Sequence, residues 1–126
     1  MKFDDERFRK AERLRKRPQF LRARRDGWRQ QGRWVIVYAV GNEVGHPRVG
    51  VTVSGRVGNA VVRNRWKRRL REIFRRGKHH FGDGHDVVII ARSGRGEPDY
   101  QQLRDDVYHT VDRAVDSYQT RRGGGE

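Results

Sequence analysis

Polar and apolar positions alternate strictly over Arg48 to Ser54, with Val49, Val51 and Val53 on one side and Gly50, Thr52 and Ser54 on the other. That period of two predicts a half-buried β-strand. Arg33 to Val40 is also strand-like, rich in β-branched and aromatic residues; Val35, Val37 and Ala39 share one face, Trp34, Ile36 and Tyr38 the other. Asp86 to Ala91 is a continuous apolar run, as expected of a strand covered on both faces. Elsewhere the period is helical. Pro18 suits the first turn of a short helix that Gly27 closes, with Phe20 and Leu21 as its large apolar residues. Pro98 opens a longer helix to about Gln119, in which Tyr100, Leu103, Val107, Val111, Ala114, Val115 and Tyr118 recur at helical spacing.

The middle helix is the unusual one. Val57 to Gly77 carries eight Arg or Lys residues and still has two distinct faces. At about 100° per residue, Val62, Trp66, Leu70, Ile73 and Phe74 fall within an arc of roughly 120°, a core-facing stripe. Asn64, Lys67, Arg68, Arg71 and Arg75 fall on a second arc of about 100°, nearly opposite. Asn59 suits the N-cap and Gly77 the stop. A solvated basic helix normally balances its cations with acids at i±4. Here Glu72 can pair with Arg68, Arg69 or Arg76, and the remaining cations have no local partner. The ridge fits a ladder of backbone phosphates.

Asn42 to Pro47, Lys78 to Gly84 and Arg92 to Glu97 read as loops. Residues 1–13 read as a mobile arm and 120–126 as a disordered Gly-rich tail of one RNA-binding domain spanning 1–126. The order α-β-β-(β)-α-β-α predicts an α+β fold, a single-domain α–β sandwich with one sheet. If the strands at Arg48 and Asp86 are parallel neighbours, the basic helix is their crossover, and general rules make such a crossover right-handed.

Composition sharpens this picture. The 126 residues include 30 Lys+Arg against 16 Asp+Glu, a formal net charge of +14. The sequence pI is about 11.3 and the mean hydropathy −1.08, so a small core is wrapped in positive charge. Most of the cations are arginine, whose planar fork suits phosphates and stacks on bases. No apolar run approaches the roughly 18 residues of a membrane span, and Met1 to Lys16 has no hydrophobic signal region. The absence of cysteine removes disulfides and thiol chemistry. These features predict a cytoplasmic binder of RNA or DNA without a membrane partner.

Catalytic constellations are weak. His79, His80 and His85 crowd one loop, but no well-spaced carboxylate completes a metal set. Asp83, Asp86 and Asp99 lack the arrangement of a nuclease's metal-binding carboxylates. Gly55 to Gly58 lies before the basic helix, where a phosphate could sit, yet no wider phosphate-loop motif surrounds it. No catalytic residue and no protein-bound metal is therefore assigned. If the valines of Arg33 to Val40 face the core, Tyr38 joins Thr52 and Ser54 on a more polar sheet face that Phe20 could close over. With Arg56 nearby, those groups would make a groove for single-stranded RNA. The pattern fits Phe20 and Tyr38 equally well as ordinary core aromatics.

The run V-G-V-T-V-S-G-R-V-G-N-A-V-V-R-N-R-W-K-R-R-L-R-E, Val49 to Glu72, resembles the signature of the bacterial ribonuclease P protein subunit family. Its centre is the R-N-R-x-K-R motif at Arg63, Asn64, Arg65, Lys67 and Arg68, and the likeness extends to R-P-Q-F at Phe20, V-I-V-Y at Val35 to Tyr38 and V-V-I-I-A-R at Val87 to Arg92. The resemblance implies a subunit that binds a large catalytic RNA and helps it remove 5′ leaders from precursor tRNA, an endonucleolytic hydrolysis performed by Mg²⁺ held in the RNA. It implies the same α–β sandwich with a left-handed crossover, against the general rule. It places Phe20, Tyr38, Thr52 and Arg56 in a leader-binding cleft, and turns Arg63, Asn64, Arg65, Lys67, Arg68 and Arg71 toward the catalytic RNA. Two positions depart from the family pattern: Arg24 stands where a second aromatic is common, and Gly55 where a Lys usually follows the serine. The rival readings are a general basic RNA-binding or ribosomal protein and a stand-alone metal-dependent nuclease.

Overall fold

The computed structural model describes residues 8–124. Helix α1 (Arg17–Asp26) is followed by strands β1 (Trp28–Gln31), β2 (Val35–Gly41) and β3 (Arg48–Thr52). Helix α2 (Ala60–Arg76), strand β4 (His85–Ala91) and helix α3 (Tyr100–Gly124) complete the order. The four strands form one sheet in the order β1-β2-β4-β3, so β3 and β4 are neighbours joined through α2. That pair is parallel, with Val49 opposite Val87 and Val51 opposite Ile89, while β2 runs antiparallel to both β1 and β4.

The period-two pattern sorts the two sheet faces. Val35, Val37 and Ala39 of β2, Val87 and Ile89 of β4 and Val49 of β3 point to the face covered by α2 and α3. There they meet Trp66, Leu70, Ile73 and Phe74 from α2 and Leu103, Val107, Val111 and Ala114 from α3, all essentially buried. The opposite face holds a smaller cluster: Leu14, Ala23, Val40, Val88 and Tyr118, with Phe20, Tyr38 and Ile90 packed against it. Helix α1 lies there. The valine face is therefore the main core and the tyrosine face is the one a ligand can share.

Strand β1 is a departure from the sequence reading. Its residues, Trp-Arg-Gln-Gln, have no apolar alternation, and only pairing with β2 makes them a strand. Arg33 and Trp34, expected to begin β2, lie in the hairpin turn instead. Their amides donate to the Asp106 carboxylate of α3 at 3.0 and 2.7 Å, which ties the turn to that helix.

Both chain ends also differ from expectation. The part of the 1–13 arm within the described residues is docked on the fold; residues 1–7 lie outside them. Phe8 packs on Phe74 with ring centroids 5.3 Å apart, and a 3₁₀ turn (Lys10–Glu12) buries Glu12 against the Lys78 ammonium at 2.9 Å. The Leu14 amide donates to the Val49 carbonyl at 2.9 Å. High local charge hid this anchoring. At the other end α3 continues to Gly124 rather than stopping near Gln119, so most of the expected 120–126 tail is helical; residues 125–126 lie outside the description. Tyr118 is buried against His85 at the start of β4, and the Arg121 guanidinium lies 6.0 Å from the Trp28 ring, so contacts outlast the glycine stop signal. The histidine segment is likewise ordered. Lys78–Phe81 is a 3₁₀ turn, Phe81 is fully buried, and His80 stacks on Tyr108 at 4.1 Å.

Candidate nucleic-acid interface

Helix α2 begins where the sequence places it: the Asn59 Oδ1 accepts from the Val62 amide at 3.0 Å. Its apolar stripe is seated in the core, which forces the opposite arc outward. Asn64, Arg68 and Arg71 are exposed there and Lys67 is half-buried. The side chains of Lys67, Arg68 and Arg71 make no hydrogen bond or ion pair with another described residue. Of the cations on that arc, Arg75 is paired with Glu72, and Lys67, Arg68 and Arg71 meet no acid among the described residues, so these three are left to solvent or to an external anion.

The other polar flank of α2 behaves differently. Arg65 turns away from the ridge and forms a fork to Glu97, with Nε and Nη2 donating at 2.5 and 2.8 Å. Arg69 donates to the Pro98 carbonyl at 3.1 Å and lies 3.6 Å from the same carboxylate. Glu72 pairs with Arg75 and Arg76, not with Arg68 or Arg69. Hydrogen bonding from Arg65 holds the Glu97 carboxyl below its ordinary range, and the Arg75 bond does the same for Glu72; desolvation opposes both. Arg63 sits at the border of the apolar stripe, with its Nε buried and without a hydrogen-bond partner among the described residues. Of the six positions expected on the R-N-R helix, Asn64, Lys67, Arg68 and Arg71 share the open ridge, whereas Arg63 and Arg65 flank it.

On the far face of the sheet, α1, the segment before it and strands β3 and β4 enclose a groove of about 430 Å³ lined by Arg15, Arg17, Phe20, Leu21, Arg24, Thr52 and Val88. Strand register explains its floor. Tyr38 opposes Val88, which opposes Gly50, and Ile36 opposes Ile90, which opposes Thr52. Phe20 lies directly on Gly50: a Cβ there would come within 2.6 Å of the ring, so only glycine lets the aromatic settle on the strand. Tyr38 lies two strands away on the same face, beyond Val88, and the Arg24 guanidinium sits 5.4 Å from its ring centre. The residue that departs from the family's aromatic pattern thus covers an aromatic here. Phe20 and Thr52 line the groove, Tyr38 extends its floor, and Arg56 is exposed in the turn after β3, outside the lining.

Asp86 holds this region together. Almost fully buried, it accepts from Arg48 Nε and Nη2 at 2.8 and 2.9 Å and from Asn42 Nδ2 at 2.8 Å, with Arg22 of α1 at 3.8 Å. Its contacts are those of a staple between α1, β3 and the β2–β3 loop. Asp99 caps α3 by accepting from the Gln102 amide at 2.8 Å, and Asp83 is exposed. Among the described residues no group of three or more His, Asp or Glu side chains is placed to hold a metal ion. Sequence reasoning missed Asp86 as a staple, because its partners lie on other elements, and missed Val88, because only strand register shows which way an unbroken apolar run faces. Arg24 one turn after Phe20 was legible in position, though its contact with Tyr38 was not.

Comparison with known proteins shows the family and the fold. The Ribonuclease P family profile matches residues 8–115. The chain belongs to the ribonuclease P protein family. A ribonuclease P protein component from Desulforapulum autotrophicum is 41% identical over 100 residues, spanning 79% of this chain and 86% of that one. The structure of the Staphylococcus aureus RNase P protein superposes with a TM-score of 0.76 at 35% identity, covering 83% of this chain and 96% of that one. The Thermotoga maritima RNase P protein gives 0.74 at 33% identity, over 81% of this chain and 96% of that one. Members of this family are protein components of a ribonucleoprotein endoribonuclease that matures tRNA 5′ ends. No described helix is long and apolar enough to cross a membrane.

Proposed function

We propose that this chain is the protein subunit of a ribonuclease P ribonucleoprotein in the cytoplasm, seating the catalytic RNA on the α2 ridge and the 5′ leader of precursor tRNA in the α1 groove. Cleavage belongs to the RNA and the Mg²⁺ it holds; the protein supplies binding and position. The observation that carries this reading is the ridge itself: Lys67, Arg68 and Arg71, unpaired on one arc of a helix whose opposite arc is buried in the core. Packing fixes the direction in which those cations point, so little ordering remains to be done on binding. Their charge offsets repulsion between RNA strands, which lowers the bulk Mg²⁺ needed for cleavage.

Salt dependence of binding to the catalytic RNA tests it. Five to eight phosphate contacts at roughly −0.7 log unit each give a slope of about −4 to −6. Replacing Lys67 and Arg71 together by alanine should flatten that slope by about 1.5 to 2. An unchanged slope from a folded variant removes the ridge from the RNA interface.

A further inference from the structure

The flank of α2 turned away from Lys67 and Arg71 carries a second cationic feature, which meets the ridge at Arg68. A recess of about 450 Å³ lies between α2 and the start of α3, lined by Arg68, Arg69, Glu72, Arg76 and Tyr100. At about 100° per residue, Arg69 and Arg76 lie roughly 140–180° round the helix from Lys67 and Arg71. Two of its three arginines are already oriented. Arg69 is held by the Pro98 carbonyl and Arg76 by Glu72 at 2.8 Å, while Arg68 has no partner among the described residues. With Glu97 counted at 3.6 Å from Arg69, three guanidinium groups against two carboxylates still leave the recess net positive.

Tyr100 is the second observation. Its hydroxyl is buried and has no hydrogen-bond partner among the described residues. Leaving such a donor unmet is costly, and a phenol at the wall of a cationic recess is suited to a phosphate oxygen.

We propose that this recess seats a backbone phosphodiester of the catalytic RNA, with Arg69 and Arg76 donating to its oxygens and the Tyr100 hydroxyl gaining its missing acceptor once the side chains over it give way. The inference rests on the reading of α2 as an RNA-binding helix and extends it. With phosphate seats on two opposite flanks, α2 is a wedge between two RNA backbones rather than a rod lying on one. A helix about 10–12 Å across separates those backbones by at least that width.

The test measures affinity and salt slope for the catalytic RNA with the full chain, comparing Tyr100→Phe, the double variant Arg69→Gln/Arg76→Gln, and Lys67→Gln/Arg71→Gln. The double recess variant should bind about tenfold more weakly or worse, with a slope flatter by about 1. Tyr100→Phe should bind about three- to tenfold more weakly while its free form melts at a higher temperature, because the unmet hydroxyl is gone. A merely structural role for Tyr100 does not produce those opposite signs. Backbone cleavage footprints should show two separately protected RNA strands, one exposed again by each double variant.

Recess variants that bind like the parent, beside a ridge variant that loses affinity, overturn the wedge and leave the ridge reading intact. Loss in neither set removes both. If Arg69→Gln/Arg76→Gln does not fold, Tyr100→Phe and the exposed Arg76→Gln alone carry the decision. Inorganic phosphate at constant ionic strength forms the last arm. Thermal stabilisation by phosphate that depends on Arg69 and Arg76, with RNA affinity unaffected, assigns the recess to free phosphate and overturns the proposal.

Discussion

The α2 ridge and the α1 groove are both cationic, but they are built in different ways. The ridge comes from one contiguous segment, whose direction is set by the apolar stripe behind it. The groove takes Phe20 and Arg24 from α1, Tyr38 from β2, Thr52 from β3 and Val88 from β4, residues brought together only by strand register and helix docking. A contiguous site should tolerate damage elsewhere in the fold, whereas an assembled one should fail with its supports. The chemistry differs as well. On the proposed reading, guanidinium and ammonium groups on the ridge would engage phosphate without regard to base, while Phe20 and Tyr38, the latter under Arg24, would meet unpaired bases.

The largest effect expected is at the staple. Asp86→Ala leaves Arg48 partly buried without its carboxylate and removes the charge beside Arg22 of α1, which keeps its 2.6 Å bond to the Gly41 carbonyl, at a cost of about 3–5 kcal/mol in urea unfolding. Any folded fraction should lose its preference for precursor over mature tRNA and keep the salt slope of the ridge. If slope and preference fall together, the two regions are not independent, and the contrast drawn between them collapses.

A smaller effect separates stacking from packing within the groove. Phe20→Ala should weaken precursor tRNA relative to mature tRNA by about 1–3 kcal/mol for each base no longer stacked. Gly50→Ala should reach the same result from the strand side. Its new methyl displaces the Phe20 ring, and overpacking costs about 1–3 kcal/mol of stability. Equal losses for both tRNAs, accompanied by a marked fall in melting temperature, identify Phe20 as a core residue only.

The smallest effect concerns the Arg65–Glu97 fork, which keeps one arginine of the R-N-R motif off the ridge. Arg65 depresses the Glu97 pKa in the folded protein, so the pair stabilises fully above the ordinary glutamate value of about 4.3. That contribution is lost as pH falls through the lower folded value. Both side chains are partly exposed, so the parent should exceed Glu97→Gln by less than about 1 kcal/mol at neutral pH. Denaturant melts of the two proteins should converge under acid. A gap that persists at low pH assigns the stabilisation to something other than this ion pair.

How much of this was legible beforehand follows the same division. The α2 faces, the Asn59 cap and the valine faces of β2 and β3 depend on residues three, four or two positions apart, so local periodicity carried them. Strand β1 was invisible because its own side chains have no pattern; its partner supplies it. The terminal segments were misjudged for a related reason. Phe8 and Tyr118 are single apolar residues amid charge, and nothing nearby in the chain shows that Phe74 or His85 awaits them.

By itself, the sequence determined a small, strongly cationic α+β chain, its family, and one helix with a buried stripe and a cationic ridge, because those properties reside in composition and in neighbours along the chain. Only the tertiary structure decided that Arg65 turns to Glu97, that Phe20 rests on Gly50, that Arg24 covers Tyr38, and that Asp86 joins three elements. Each of these pairs groups distant in sequence, and their meeting depends on strand register and helix docking, which no local period encodes.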